Sequence, residues 1–138
     1  YHLVGGVTFP LEESVVRGIT AQVGYEVLGS DDGVPFQTPL GANHKFNGWA
    51  DKFLVTPADG LRDIWFEAQY RWSRFSVSLI YHDFAADAGS ARYGTELDGV
   101  LQYSAPWKQT FFARFARYSA DELAPDTTKV LLFTTLSF

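Results

Sequence analysis

Apolar and polar residues alternate along most of this chain. The clearest segment is LRDIWFEAQYRW at 61–72, where one parity holds Ile64, Phe66, Ala68, Tyr70 and Trp72, and the other holds Asp63, Trp65, Glu67, Gln69 and Arg71. Successive side chains of a β-strand point to opposite faces, so this pattern predicts a strand with one apolar and one mostly polar face. The same alternation recurs in ITAQVGYEVL, FSVSLIYHDF and TELDGVLQY.

The pattern as a whole predicts an all-β, antiparallel, up-and-down arrangement of seven strands. Their expected ranges are about 1–10, 19–30, 61–72, 75–87, 95–105, 109–120 and 127–138. Mostly short turns alternate with longer loops, of which 31–60 is the longest. Alternate connections of an up-and-down sheet lie at the same edge, so one edge has short turns and the other has long loops. Transmembrane β-barrels show this asymmetry, with the long loops outside the cell.

Composition narrows the class of protein. At 138 residues the chain is expected to form a single segment of structure, and 17% of its residues are aromatic. No apolar run reaches 18 residues, which argues against a transmembrane helix. The chain has no Cys, which excludes disulfides and thiolate metal sites, and its net charge of −5 argues against nucleic acid as a partner.

A soluble β-barrel or sandwich that binds a small ligand also alternates, but its apolar face points inward. The aromatic content, the asymmetry of the connections and the mixture of acids and bases on the polar faces favour the membrane barrel. That hypothesis requires one set of side chains to meet hydrocarbon, including Phe66, Leu79 and Leu101. It requires a second set to face a watery lumen, including Glu67, Glu96 and Asp98.

Five segments also carry a family resemblance: GYEVLGSDDG, FQTPLGANHKFNGWADKF, TPADGLRDIWF, YHDFAADAGSARYGTELD and ARYSADE. Together they resemble the alginate-export-like family of outer-membrane β-barrels of Gram-negative bacteria. The resemblance covers most of residues 22–138, and its longest motif lies at about 36–63. It implies an antiparallel barrel in the bacterial outer membrane that conducts solutes through its lumen. A shared family does not by itself identify the permeant.

The strand count has a consequence for the intact barrel. Bacterial barrels of this kind have an even number of strands, with both chain ends on the periplasmic side. Seven strands that end at a periplasmic Phe138 leave the first residue outside. An open arc would also present two unpaired edges to lipid. We therefore expect 1–138 to be the C-terminal part of a larger barrel.

The polar faces supply the residues expected to line the lumen. These candidates are Glu26, Asp63, Glu67, Gln69, Arg71, His82, Glu96, Asp98, Gln102, Arg114 and Lys129. The set leans acidic, whereas a pore for an acidic polysaccharide should present a basic track. The sequence therefore favours a porin-like channel for passive passage of small solutes over a dedicated alginate exporter. Saccharides and alginate-like polymers are the candidate permeants.

The long loop at 31–60 exceeds the usual length of a connection, which indicates a function. We expect its centre to form a short helical turn that folds into the pore. The side chains expected to constrict the passage are His44, Lys45, Trp49, Asp51 and Lys52. The alternative is that the loop caps the rim of the barrel and packs against neighbouring loops.

Other chemistry has little support in the sequence. His2, His44 and His82 show no spacing typical of zinc ligands, and the loop acids match no calcium-binding loop. We therefore expect no enzyme activity, no metal and no cofactor. The expected partners are outer-membrane lipid and a small solute or saccharide. A non-conducting, structural outer-membrane barrel that acts through its loops is a further alternative.

Overall fold

A computed structural model describes residues 1–10, 16–38 and 47–137, with side chains in the second range from Gly18 onward. The described residues form strands, turns and irregular segments, without a helix. The strands are β1 (His2–Phe9), β2 (Val16–Leu28), β3 (Ser30–Asp31), β4 (Val34–Pro35), β5 (Leu61–Trp72), β6 (Phe75–Ala85), β7 (Arg92–Ser104), β8 (Gln109–Ala120) and β9 (Thr127–Leu136). Accordingly, no helix long and apolar enough to cross a membrane occurs in the described part of the chain.

Seven of these strands form one antiparallel sheet in the order β1-β2-β5-β6-β7-β8-β9. The seven strands predicted from alternation are thereby confirmed. Two boundaries differ by three residues, since β2 begins at Val16 and β7 begins at Arg92. Within the described residues β1 pairs only with β2 and β9 only with β8, so these strands do not close into a ring.

The small β3–β4 hairpin lies at the start of the predicted long loop 31–60, and its first residue, Ser30, ends the range predicted for the second strand. Its turn residues Asp32 and Gly33 have φ angles of 47° and 76°. Positive φ at both central residues is typical of a type I′ turn, for which Asp-Gly is a preferred pair. Two-residue strands are too short to show alternation, so the pattern did not reveal them.

The connections at one end of the strands are shorter than those at the other end, as predicted. One edge carries the turns 73–74 and 105–108, and the other carries 29–60, 86–91 and 121–126. The connection between β6 and β7 is shorter than expected because β7 begins early. We call the strand ends with the short turns the short-turn edge of the sheet, and the strand ends with the longer connections the long-loop edge.

Cross-strand partners lie on the same face of a sheet, so the register assigns each side chain to one of two faces. The apolar face carries Val23, Phe66, Leu79, Leu101, Phe115 and Val130. The polar face carries Glu26, Asp63, His82, Glu96, Asp98, Arg114 and Lys129. The apolar face is the uncovered one: Phe66 is 52% exposed and Leu79 is 53% exposed, whereas Glu96 is 1% and Asp98 is 0% exposed. This arrangement is the reverse of a soluble sandwich.

The buried core also lies on the polar face, next to the long-loop edge. It consists of Leu28, Ala50, Phe53, Leu61, Phe84, Ala86, Tyr93, Ala116 and Tyr118. Leu61, Phe84 and Tyr118 have the same parity as Asp63, His82 and Arg114 of their respective strands. The polar face therefore changes character along its length, from apolar at the long-loop edge to ionic below it.

Candidate functional site: a loop segment held over the polar face

Residues 47–53 of the long loop lie over the polar face, and two carboxylates of β7 hold their backbone. The amide of Trp49 donates a hydrogen bond to Asp98 Oδ2 at 3.1 Å, and the amide of Ala50 donates to Glu96 Oε1 at 2.7 Å. Glu96 and Asp98 are two residues apart on one strand, so both project from the same face. The two bonds attach consecutive residues of the segment to carboxyl oxygens of one strand.

Gly48 allows the backbone to come this close. Its φ is +82°, and a Cβ at this position would lie 2.5 Å from Glu96 Oε2. Asn47 and Asp51 also have positive φ values, of 58° and 61°. The segment therefore consists of tight turns, and the short helical turn expected around these residues is wrong for the part of it that is described. Helical residues would need negative φ throughout.

The side chain of Asn47 contacts the β2–β5 side of the polar face. Its Nδ2 donates to Glu26 Oε2 at 2.7 Å and lies 3.4 Å from Asp63 Oδ2. His82 lies beside this pair, with Nδ1 2.9 Å from Asp63 Oδ1 and Nε2 3.8 Å from Asp98 Oδ2. One imidazole and one amide thus connect carboxylates of three strands.

Two cations contact the same segment from the opposite side. Lys129 of β9 pairs with the carboxylate of Asp51, and its Nζ donates to the carbonyl oxygen of Trp49 at 3.2 Å. The Arg114 guanidinium of β8 lies 4.8 Å from the ring centroid of Trp49 and 5.0 Å from that of Phe133. A guanidinium over an aromatic face is attracted by the ring quadrupole. Arg114 and Lys129 therefore both have partners in the loop segment.

Phe53 anchors the segment in the buried core and is only 3% exposed. Its ring centroid lies 4.4 Å from that of Phe84, 5.9 Å from that of Tyr93 and 6.2 Å from that of Tyr118. Tyr118 is itself fixed, since its hydroxyl donates to the carbonyl of Leu123 at 2.8 Å. Burial of a Phe side chain stabilises by about 1.5–3 kcal/mol, so this contact is a major part of the attachment.

The segment also donates hydrogen bonds to two buried carboxyl groups that each have one oxygen without a partner. Glu96 Oε2, Asp98 Oδ1 and Arg114 Nε are buried and have no hydrogen-bond partner among the described residues. Without the amides of Trp49 and Ala50, the second oxygen of each of these two carboxyl groups would lose its hydrogen bond as well. A buried polar atom without a partner costs about 1–3 kcal/mol, so the segment and the carboxylates stabilise each other.

All eleven lumen candidates share the polar face by register. Seven of them lie under or beside residues 47–53: Glu26, Asp63, His82, Glu96, Asp98, Arg114 and Lys129. The other four are Glu67, which is level with Asp98 across the sheet, and Gln69, Arg71 and Gln102, which line a cavity next to the turn 73–74. There Gln69 donates to Ser78 Oγ at 3.0 Å, and Gln102 donates to Ser104 Oγ at 3.3 Å. That this face lines a lumen stays a prediction.

Three of the predicted constriction residues contact the polar face, and two fall outside the description. Trp49 and Asp51 contact Arg114 and Lys129, and Lys52 Nζ lies 5.6 Å from the ring centroid of Tyr118. His44 and Lys45 lie outside the described residues.

Sequence reasoning missed several residues of this site. It did not identify Asn47 or Gly48 as attachment points, because a contact between a loop and a distant strand leaves no periodic signal; Phe53 was among the loop aromatics expected to anchor the loop to the wall. The parity of Leu61, Phe84 and Tyr118 was readable, and following it to the strand ends would have indicated an apolar core on the polar face. Trp65 shares that face too, and its indole lies against Gly24 of β2.

Among the described residues no group of three or more His, Cys, Asp or Glu side chains is arranged to hold a metal ion. No protein-family model, curated protein or solved structure matches this chain. The likeness to the alginate-export-like family therefore stays a resemblance carried by the five sequence segments.

Proposed function

We propose that this chain is part of a bacterial outer-membrane channel for the passive passage of small solutes. The polar face lines its lumen, and residues 47–53 narrow that lumen. One observation carries the proposal: the sheet exposes its large apolar side chains on one face and buries its carboxylates on the other. Soluble proteins rarely expose a continuous apolar surface of this kind, whereas acyl chains cover such a surface without penalty.

The exposed apolar set extends across all seven strands of the sheet. Examples are Val7, Val23, Phe66, Leu79, Leu101, Phe115 and Val130. If this face met water, each of these side chains would lack the stabilisation of about 25 cal/mol for every Å² of apolar surface that is removed from water. Opposite them, the ionisable groups lie on the face that a lumen would require to be polar. The family resemblance supports the same orientation.

The attachment of residues 47–53 supports the idea that the loop narrows the lumen. The segment contacts Glu26 of β2 at one end and Lys129 of β9 at the other, so it crosses most of the sheet. A loop that only capped the rim would not need buried carboxylates to accept its backbone amides. The acidic lining supports small solutes over an acidic polymer as the permeant.

Planar-bilayer recordings of the full-length protein test this function, with a variant that lacks residues 40–56 as the comparison. We expect discrete conductance steps in both proteins and a larger unit conductance in the variant, because the deletion removes the narrowing segment. Equal conductance would contradict the narrowing. A folded protein without conductance would favour a structural barrel, and a protein that is folded and monodisperse without detergent would overturn the membrane assignment.

A further inference from the structure

A cleft of about 260 Å³ separates residues 47–49 from strands β1, β2, β5 and β6. Its polar and aromatic lining includes His2, Glu26, Trp49, Asp63, Trp65 and Glu67. The cleft lies on the polar face beside the loop segment, so a solute that moves along this face would pass it.

Trp65 forms a fixed aromatic wall of the cleft. A Cβ on Gly24 would lie 2.1 Å from Cε2 and 2.4 Å from Nε1 of the Trp65 indole, so the ring lies directly against the backbone of β2. Only glycine leaves room for this contact. One side of the indole is occupied by Gly24, and the ring also lines the cleft. An indole face is the preferred aromatic surface for a cation.

The carboxylates of the cleft surround this aromatic wall. Glu26 is the neighbour of Asp63 across the β2–β5 pair, and Glu67 lies two residues from Trp65 on β5. Glu26 and Asp63 also contact imidazoles, at 3.4 Å from His2 and 2.9 Å from His82. Among the described residues that line the cleft there is no Lys or Arg.

The basic residues of the polar face lie elsewhere. Arg114 and Lys129 are engaged with Trp49 and Asp51 on the far side of the segment. Arg71 lies at the short-turn edge, beside a separate cavity that also contacts Arg74. The loop segment thus divides the polar face into two sides. On the β8–β9 side Arg114 and Lys129 are paired with the segment, and on the β2–β5 side carboxyl groups line the cleft.

We propose that this cleft binds small organic cations, with an ammonium group against the Trp65 indole and beside the carboxylates of Glu26 and Glu67. The inference rests on the proposed channel, for which it names the preferred class of solute. Sugars also stack on indoles, but the described lining holds three carboxyl groups and no Arg or Lys, so it offers an acidic sugar no partner and favours a positive charge. The channel should therefore prefer cations to anions.

Two measurements on the full-length protein test the inference, with choline as the probe. The first is tryptophan fluorescence in detergent micelles during a choline titration, and the second is the reversal potential of the channel in a KCl gradient. We expect saturable quenching and a reversal potential that indicates cation preference. In the Glu26→Gln/Glu67→Gln double variant the choline affinity should fall about tenfold or more.

Glu122→Gln is the matched control, since Glu122 is exposed in the connection between β8 and β9, away from the cleft. It should leave both measurements unchanged. Anion preference, or an equal effect of the control and the double variant, would overturn the inference. Conductance without choline binding would contradict the cation site in the cleft but not the channel. Choline binding without conductance would contradict the channel but not the cation site.

Discussion

Position 48 imposes two requirements that only glycine, among the amino acids, meets together. Its φ of +82° is unfavourable for an L-residue, and the space that a Cβ would need is taken by the Glu96 carboxylate. The side chain of Glu96 has little freedom to move, because it is 1% exposed and accepts the amide of Ala50. At the scale of a single residue, Gly48 has a hydrogen atom where any other residue has a Cβ, and this difference allows residues 47–53 to come close to the sheet.

Gly48→Ala should therefore destabilise the protein more than Gly33→Ala, as measured by denaturant unfolding in detergent micelles. Gly33 has a similar φ of +76° and nothing within 4 Å of its hypothetical Cβ, so it isolates the backbone penalty. That penalty is about 1–2 kcal/mol. The clash with Glu96 should add at least about 1 kcal/mol in the Gly48 variant, through a lost hydrogen bond. Equal losses in the two variants would show that the close approach is unimportant.

At the scale of the element, each strand has two faces with opposite environments. In β6, Leu79 is 53% exposed while its neighbour Ser78 is 4% exposed. Leu79 pairs with Ala68 of β5 and Gly99 of β7, which places it near the middle of the sheet. Leu136 lies on the same face at the end of β9 and is 54% exposed. These two leucines have equal exposure but different depth in a proposed bilayer.

Leu79→Arg and Leu136→Arg separate lipid from water as the medium of the apolar face. In lipid vesicles we expect a loss of about 2–4 kcal/mol in unfolding free energy for the Leu79 variant and about 0–1 kcal/mol for the Leu136 variant. The reason is that the cost of a buried Arg falls as its guanidinium comes near the interface. If both variants are as stable as the parent, the apolar face meets water and the membrane assignment is wrong.

At the scale of the whole molecule, residues 47–53 join strands that are far apart in the sheet. Asn47 contacts Glu26 of β2, and Lys129 of β9 contacts the carbonyl of Trp49. Between β2 and β9 lie four other strands. The segment therefore links the two halves of the sheet across the polar face, in addition to the ladders between neighbours.

Lys129→Ala should loosen this link, and hydrogen exchange at the amides of Trp49 and Ala50 reports it. A hydrogen bond to a charged group contributes about 1.5–3 kcal/mol, so protection of these amides should fall by about tenfold or more. Lys108→Ala is the control, because Lys108 is exposed in the turn between β7 and β8. Unchanged protection in the Lys129 variant would mean that the β7 carboxylates and Phe53 hold the segment without β9.

Alternation determined the seven main strands and the parity of the lumen candidates, because successive side chains of a strand point to opposite faces. The short connections indicated the antiparallel arrangement. Only the tertiary structure decided which face is uncovered, since an amphipathic strand fits a sandwich and a membrane barrel equally well. The same holds for the attachment of Asn47, Trp49, Ala50 and Phe53 to the polar face. Those contacts join residues 16 to 80 positions apart, from Asn47 with Asp63 to Trp49 with Lys129, and depend on backbone amides and one glycine. Backbone amides are common to nearly all residues, so their partners become visible only when the chain is folded.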